Sequence, residues 1–206
     1  MASGHVQAVM EPDDALLWSR SRAGDADAFG LLFERHARLI YNYCFRRVGD
    51  WAAAEEMVSL VFLEAWRRRE KELPAGKVLP WLYGIAANVV RNRRRSERRF
   101  AAALRRVPEP RPEVNFSESA DARLDDERQM RRVLSLIRQL PRREQDVFVL
   151  CAWSGLSYEN AALALGVPVG TVRSRLSRAR RRLRELDPSF GHEEGRTAYV
   201  EEELER

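Results

Sequence analysis

Cysteine is almost absent from these 206 residues: Cys44 and Cys151 are the only two. Each lies in an apolar run (NYCF, VLCAW), so buried free thiols are expected and no disulfide framework is implied. Histidine is nearly as scarce, with three scattered copies. No zinc-ligand spacing arises from so few soft donors, and no metal or cofactor is expected. Apolar runs fall well short of the 18 or more residues that span a bilayer. The first residues, MASGHVQAVMEPDD, have neither the basic start nor the apolar core of a signal peptide. Membrane insertion is therefore not expected, and a cytoplasmic protein is. Strand-like alternation, β-branched runs and fixed-period repeats are also missing, which leaves an all-α fold. No acidic triad, histidine cluster or supported Tyr/Ser nucleophile occurs, so a nuclease, a recombinase or any other enzyme is disfavoured.

Apolar residues and arginine fill that space. Hydrophobic residues make up 45%, with five Trp and eight Phe, enough for the cores of one or two modest domains. The formal net charge of +5 conceals a pattern. From Asn88 to Arg106 there are eight arginines and one glutamate; from Glu185 onward there are eight acids and two arginines. Two basic blocks and an acidic end point to nucleic acid more than to an acidic small molecule. An anionic membrane surface fits less well, because the opposing helix faces lack large Trp/Phe/Leu anchors.

Residues 1–12 read as a disordered leader. Helical patterning then runs almost unbroken from 13 to 106. A first helix is expected over Asp13–Ala23. A second starts near Asp25, with Phe29, Leu32, Phe33, His36, Leu39, Ile40, Tyr43 and Cys44 at spacings of three and four. Gly49–Asp50 breaks the chain. A third helix, about Trp51–Arg69, carries Met57, Val58, Val61, Phe62 and Trp66. A proline-bounded loop, Leu73–Pro80, leads into a fourth with Trp81, Leu82, Ile85, Ala86, Val89 and Val90. Residues 107–122, VPEPRPEVNFSESADA, form a linker rich in proline and acid. A second helical domain spans 123–186, and an acidic tail, 187–206, reads as disordered.

The second basic block has the most definite shape. From Thr171 to Arg184 there are seven arginines and no acid. On a helix, Val172, Leu176, Ala179 and Leu183 fall within about 60° of one another, a narrow buried seam. Ser174, Ser177, Arg178 and Arg181 lie opposite. Ser157 suits an N-cap, Gly166 a helix end, and Pro168 a helix start. A short helix, a Gly/Pro turn and a basic amphipathic helix have the form of a helix-turn-helix. Arginines with no nearby acid repel one another unless a polyanion supplies the counter-charge. Residues early in such a helix reach base edges, and later ones reach phosphate. Thr171, Arg173, Ser174 and Arg175 are therefore base-proximal candidates; Arg178, Arg181 and Arg182 are phosphate candidates.

GLSYENAALALGVPVGTVRSRLSRARRRLREL, preceded by LPRREQDVFVL, resembles the promoter-reading domain of bacterial group 4 sigma factors, the extracytoplasmic-function type. DADAFGLLFERHARLIYNYCFRRVGDWAAAEEMVSLVFLEAWRR, followed by LPWLYGIAANVVRNRRRSERR, is similar to the other sigma domain of that family. The resemblance implies two small helical domains: sigma domain 2 over 13–106 and sigma domain 4, with its helix-turn-helix, over 123–186. It implies binding to core RNA polymerase through the clamp helices of the largest subunit and the flap region. It also implies melting of the −10 element by domain 2 and reading of the −35 duplex by domain 4. Carried over by position, the polymerase surface lies around Glu55, Glu56 and Ser59. The −10 strand would meet Lys77, Asn88, Arg91, Asn92, Arg93, Arg94 and Arg95, with cations and amides suited to a single strand. Trp81, at helical spacing with Leu82 and Ile85, reads as core before it reads as a stacking face. The family usually has a polar residue at Leu60, an aspartate near Ala53, an arginine or threonine at Ala87, an aspartate at Asn92, and Glu-Ile at Asn160–Ala161. The last change weakens a capping box with Ser157. Many relatives are held by an anti-sigma protein between the domains, and the acidic tail could instead fold onto the arginines. The competing reading is a ligand-responsive helix-turn-helix repressor.

Overall fold

The computed structural model describes residues 12–104, 132–188 and 190. Among them there are eight helices and no strand. The first bundle holds α1 (Asp14–Arg22), α2 (Ala26–Val48), α3 (Trp51–Arg67) and α4 (Val78–Leu104). The second holds α5 (helical over 132–139), α6 (Arg142–Phe148), α7 (Tyr158–Leu165) and α8 (Val169–Leu186). The leader up to residue 11, the linker 107–122 and the tail beyond 190 lie outside the described residues.

Short polar side chains set where the helices begin. Asp13, Asp25, Asp50 and Ser157 each accept a hydrogen bond from a backbone N–H three residues on, at 2.7, 3.0, 2.7 and 3.2 Å. Such caps satisfy one of the orphan donors at a helix start and contribute about 1 kcal/mol each. Gly166 ends α7 in the left-handed region (φ 63°), a conformation that suits glycine at the turn between the helix pair.

The apolar stripes pack as their periodicity requires. Leu32, Ile40, Tyr43 and Cys44 of α2 meet Met57, Val58, Val61 and Phe62 of α3 and Leu82, Ile85, Ala86 and Val90 of α4. Trp81 is core: it is 9% exposed and stands edge-on to Trp18 with ring centroids 4.9 Å apart. Trp18 donates its indole N–H to the Lys71 carbonyl at 3.0 Å. His36 is buried against Asp14, 2.7 Å away, which ties α2 to α1. In the second bundle Val172, Leu176, Ala179 and Leu183 form the expected seam of α8, buried on Ile137, Val147, Phe148 and Leu150.

Four expectations need correction. Phe33 and Leu39 are 42% and 37% exposed, because the buried stripe of α2 runs through 32, 36, 40, 43, 44 and 47 and leaves both on its shoulder. Cys151 is only partly buried. The second domain, expected to be all-α, widens past α6 at Val149–Trp153 into a π-helical turn, closed by the Ser154 N–H on the Val149 carbonyl at 2.9 Å. The chain also stays packed beyond 186: Asp187 pairs with Arg132 at 2.6 Å, and Phe190 is buried against Phe148.

The two bundles are not independent. Their buried residues form one continuous cluster, with α4 packed across α7 and α2 against the π-helical turn.

Candidate nucleic-acid interface

On α8 the sequence places arginine wherever the seam does not, and the fold keeps the two faces apart. Leu176 and Leu183 are buried, while Arg173, Ser174, Arg178, Arg181 and Arg182 are exposed and Thr171 and Arg175 half-exposed. Arg175 has no ion-pair partner among the described residues. Arg173 lies over the Tyr158 ring at 5.7 Å from its centroid, which joins the start of α8 to the start of α7. Ser174 turns its hydroxyl back on the Thr171 carbonyl at 3.1 Å. Glu159 stands beside them, its carboxyl held below the usual range by its own backbone N–H and then by the Ser157 hydroxyl.

The counter-charge differs from expectation. Acids do reach this helix. Glu144, buried on α6, stands 4.0 Å from Arg178 and 3.4 Å from Arg182. Glu185 stands 3.7 Å from Arg181, one turn along. The phosphate candidates are thus held in a line by carboxylates beneath and beside them, whereas the base candidates near the start of α8 are not.

The −10 candidates divide. Asn88, Arg91, Asn92 and Arg95 are exposed on α4. Arg91 donates to the Asn88 side-chain oxygen at 2.5 Å. Arg93 is engaged by Glu56 at 2.6 Å and by Glu97 at 2.9 Å. Arg94 is turned away from solvent and donates to the Arg47 carbonyl and to Gln145 Oε1. Lys77 donates to Asn160 Oδ1 at 2.7 Å. Lys77 and Arg94 therefore reach across to the second bundle instead of standing with the other five.

Glu55, Glu56 and Ser59 are exposed along α3. Glu56, Leu60 and Leu63 form one wall of a groove of about 650 Å³, and Asn88, Val89 and Asn92 form the other. The expected polymerase surface and the expected strand-binding residues thus share one groove. Leu60, where a polar side chain was expected, lines it and is 44% exposed.

Sequence reasoning missed the joint between the bundles. Arg47 is 2% exposed and donates to Gln145 Oε1 and, at 2.7 Å, to Asp146 Oδ1. Arg46 donates to the Trp153 carbonyl at 3.1 Å and lies over that ring at 5.1 Å. Arg138 donates to the Val48 carbonyl at 2.6 Å. A signal for Arg47 was available: it falls three and four residues after Cys44 and Tyr43, on the buried stripe. The weakened capping box has the same explanation, since the Asn160 side chain serves Lys77 and not the start of its own helix.

Comparison with known proteins assigns both bundles. Residues 32–100 match the family model for sigma-70 region 2, and 130–183 match that for sigma-70, region 4. The RNA polymerase sigma factor CarQ of Myxococcus xanthus is 32% identical over 167 residues, 81% of this chain and 93% of that protein. The extracytoplasmic-function sigma factor BldN of Streptomyces coelicolor is 31% identical over 183 residues, 84% of this chain and 65% of that protein. CnrH, solved in complex with the cytosolic domain of CnrY, superposes with a TM-score of 0.64 at 25% identity, covering 84% of this chain and 96% of that one. A match to region 2 leaves no place for the sensing domain of a ligand-responsive repressor. No helix among the described residues is long and apolar enough to cross a membrane. The chain belongs to the extracytoplasmic-function group of the sigma-70 family, the factors that bind core RNA polymerase and direct it to promoters.

Proposed function

We propose that the first bundle docks on the clamp helices of the polymerase's largest subunit through the exposed face of α3, at Glu55, Glu56 and Ser59, with the second bundle at the flap region. Asn88, Arg91, Asn92 and Arg95 then hold the separated −10 strand, beside Arg93, which Glu56 and Glu97 orient. A strand opened without ATP must be stabilised by such contacts, because duplex unpairing costs a few kcal/mol per extruded base. In the second bundle Thr171, Arg173, Ser174 and Arg175 meet base edges of the −35 duplex, and Arg178, Arg181 and Arg182 meet phosphate. The chain performs no covalent chemistry and acts in the cytoplasm. A protein partner analogous to CnrY is consistent with the fold shared with CnrH.

The observation that carries this reading is the division of α8 into a fully buried apolar seam and an arginine face left in solvent. Run-off transcription with core polymerase tests it. A start site that depends on this protein is expected; promoter binding without any transcript would reject it. Asn88→Ala and Arg91→Ala should reduce permanganate reactivity of the −10 thymines while leaving −35 duplex affinity unchanged. Normal reactivity in both variants would remove these residues from the melting surface.

A further inference from the structure

Three tryptophans are covered by a cation of the same chain. Arg69 lies over Trp66 at 4.5 Å from the ring centroid, Arg46 over Trp153 at 5.1 Å and Lys71 over Trp81 at 6.0 Å. Trp18 is buried edge-on against Trp81. Trp51, the first residue of α3, has neither kind of cover among the described residues and is 62% exposed. It is nonetheless held in place. Phe45 stacks on it with ring centroids 4.0 Å apart and planes 23° from parallel, and Tyr41 stands beside both, 6.2 Å from the indole. Tyr41 and Phe45 are themselves packed against the core. The stack fixes the plane of the indole and leaves its other face to solvent.

The setting of that face is acidic. From Trp51 to Trp66 the helix has three glutamates and no lysine or arginine, in a chain with 36 such bases. Glu56 is paired with Arg93 and Glu64 with Arg68. Glu55 has no ion pair among the described residues, and it lies one helical turn from Trp51 on the same face. Tyr41 registers how near it is: burial first, and then the Glu55 charge, hold the phenol above its ordinary range. Asp50, on the other side of the ring, is occupied as the cap of α3.

Two needs thus stand open side by side, a π-face without a cation and a carboxylate without a counter-ion. One guanidinium meets both. It is planar and weakly hydrated, stacks on an indole, and donates parallel N–H groups to a carboxylate. An ammonium cannot stack in this way, and a phosphate would meet Glu55 and Glu56 as like charges. The exposed side of α3 runs as one strip from Trp51 through Glu55 and Ser59 to Leu63, so the ring is continuous with the face assigned to polymerase. An indole already held by its neighbours loses little freedom on binding, which suits it to anchor an interface.

We infer that Trp51, backed by Phe45 and Tyr41, forms with Glu55 a receptor for one arginine side chain of the polymerase. This rests on the docking of polymerase on α3 proposed above. The test is the affinity of the full chain for core polymerase, measured by competition against labelled wild type, with circular dichroism to check that each variant is folded. Trp51→Leu keeps an apolar side chain and removes the π-face; Glu55→Gln keeps the shape and removes the charge. Each should weaken core binding by about tenfold. Together they should fall clearly short of the roughly hundredfold that independent losses would multiply to, because both act on one guanidinium. Trp51→Tyr should recover part of the loss. Full affinity in Trp51→Leu, or losses that simply multiply, would overturn the receptor. Ser59→Arg, in the middle of the strip, tests the docking itself: unchanged affinity there would reject polymerase on α3. A loss in Ser59→Arg with Trp51→Leu intact would reject the arginine site alone. Core binding intact in Trp51→Leu but weaker holoenzyme binding to single-stranded −10 DNA would make Trp51 a base-stacking face and overturn the proposal.

Discussion

The two arginine blocks look alike in sequence and serve different ends. In α4, Arg94 turns into the joint between bundles and Arg93 is spanned by two glutamates. In α8, Arg173 and Arg175 form no ion pair among the described residues, and the acids that pair with this helix hold Arg178, Arg181 and Arg182 from beneath and beside. Density of positive charge announces neither role. What separates them is whether the opposite wall of the helix supplies acceptors. α4 is crossed by a second bundle with Gln145 within reach and has the Arg47 carbonyl of α2 beside it; the outer face of α8 is crossed by no other described element.

Removing the support of each block in turn would sharpen this contrast. The largest effect is expected from Leu176→Ala, at the buried seam of α8. It should cost about 2–5 kcal/mol of unfolding stability, since a fully buried leucine leaves both lost burial and a cavity. Chemical denaturation would measure it. Arg94→Ala should cost roughly 1–3 kcal/mol in the same experiment, because it strips a donor from half-buried acceptors, and should leave −35 duplex affinity alone. The reverse is expected for Arg173→Ala or Arg175→Ala: stability unchanged within about 0.5 kcal/mol, and DNA binding weakened by about 1–3 kcal/mol with relaxed sequence preference. An equal loss on every DNA would make them phosphate contacts instead. Arg181→Ala should weaken all DNA alike and lower the salt slope by about one.

The smallest effect concerns pH. Burial pushes the Cys44 thiol up to about 12 and the Cys151 thiol up to about 11, against 9.0 for a free thiol. The folded chain favours the neutral form, so this contribution is complete below about pH 9 and is lost as pH rises towards 12. Denaturation midpoints should therefore fall between pH 9 and 11, and Cys44→Ala should flatten that slope.

Much of the fold was legible because it follows from periodicity and punctuation. Asp25, Asp50, Ser157 and Gly166 mark helix ends by local chemistry that needs no tertiary partner. The seam of α8 could be read from four spacings. The joint could not be, because Arg47 lies 98 and 99 residues from its partners Gln145 and Asp146 and each looks like a surface residue on its own. Arg94 and Lys77 were read as strand contacts for the same reason: composition shows a cation but not the acceptor it finds across the fold. Phe33 and Leu39 illustrate a smaller limit, that of an apolar residue one step off the stripe on a helix of 23 residues.

One contact gives the protein an optical property. Of the five tryptophans, four lie in the first bundle, and Trp153 alone belongs to the second, beneath the guanidinium of Arg46. Parting the halves would strip Arg46 from that ring while leaving Phe148 of its own bundle against it. The emission of a chain carrying Trp153 as its sole indole would thus follow that separation in real time, with no dye attached.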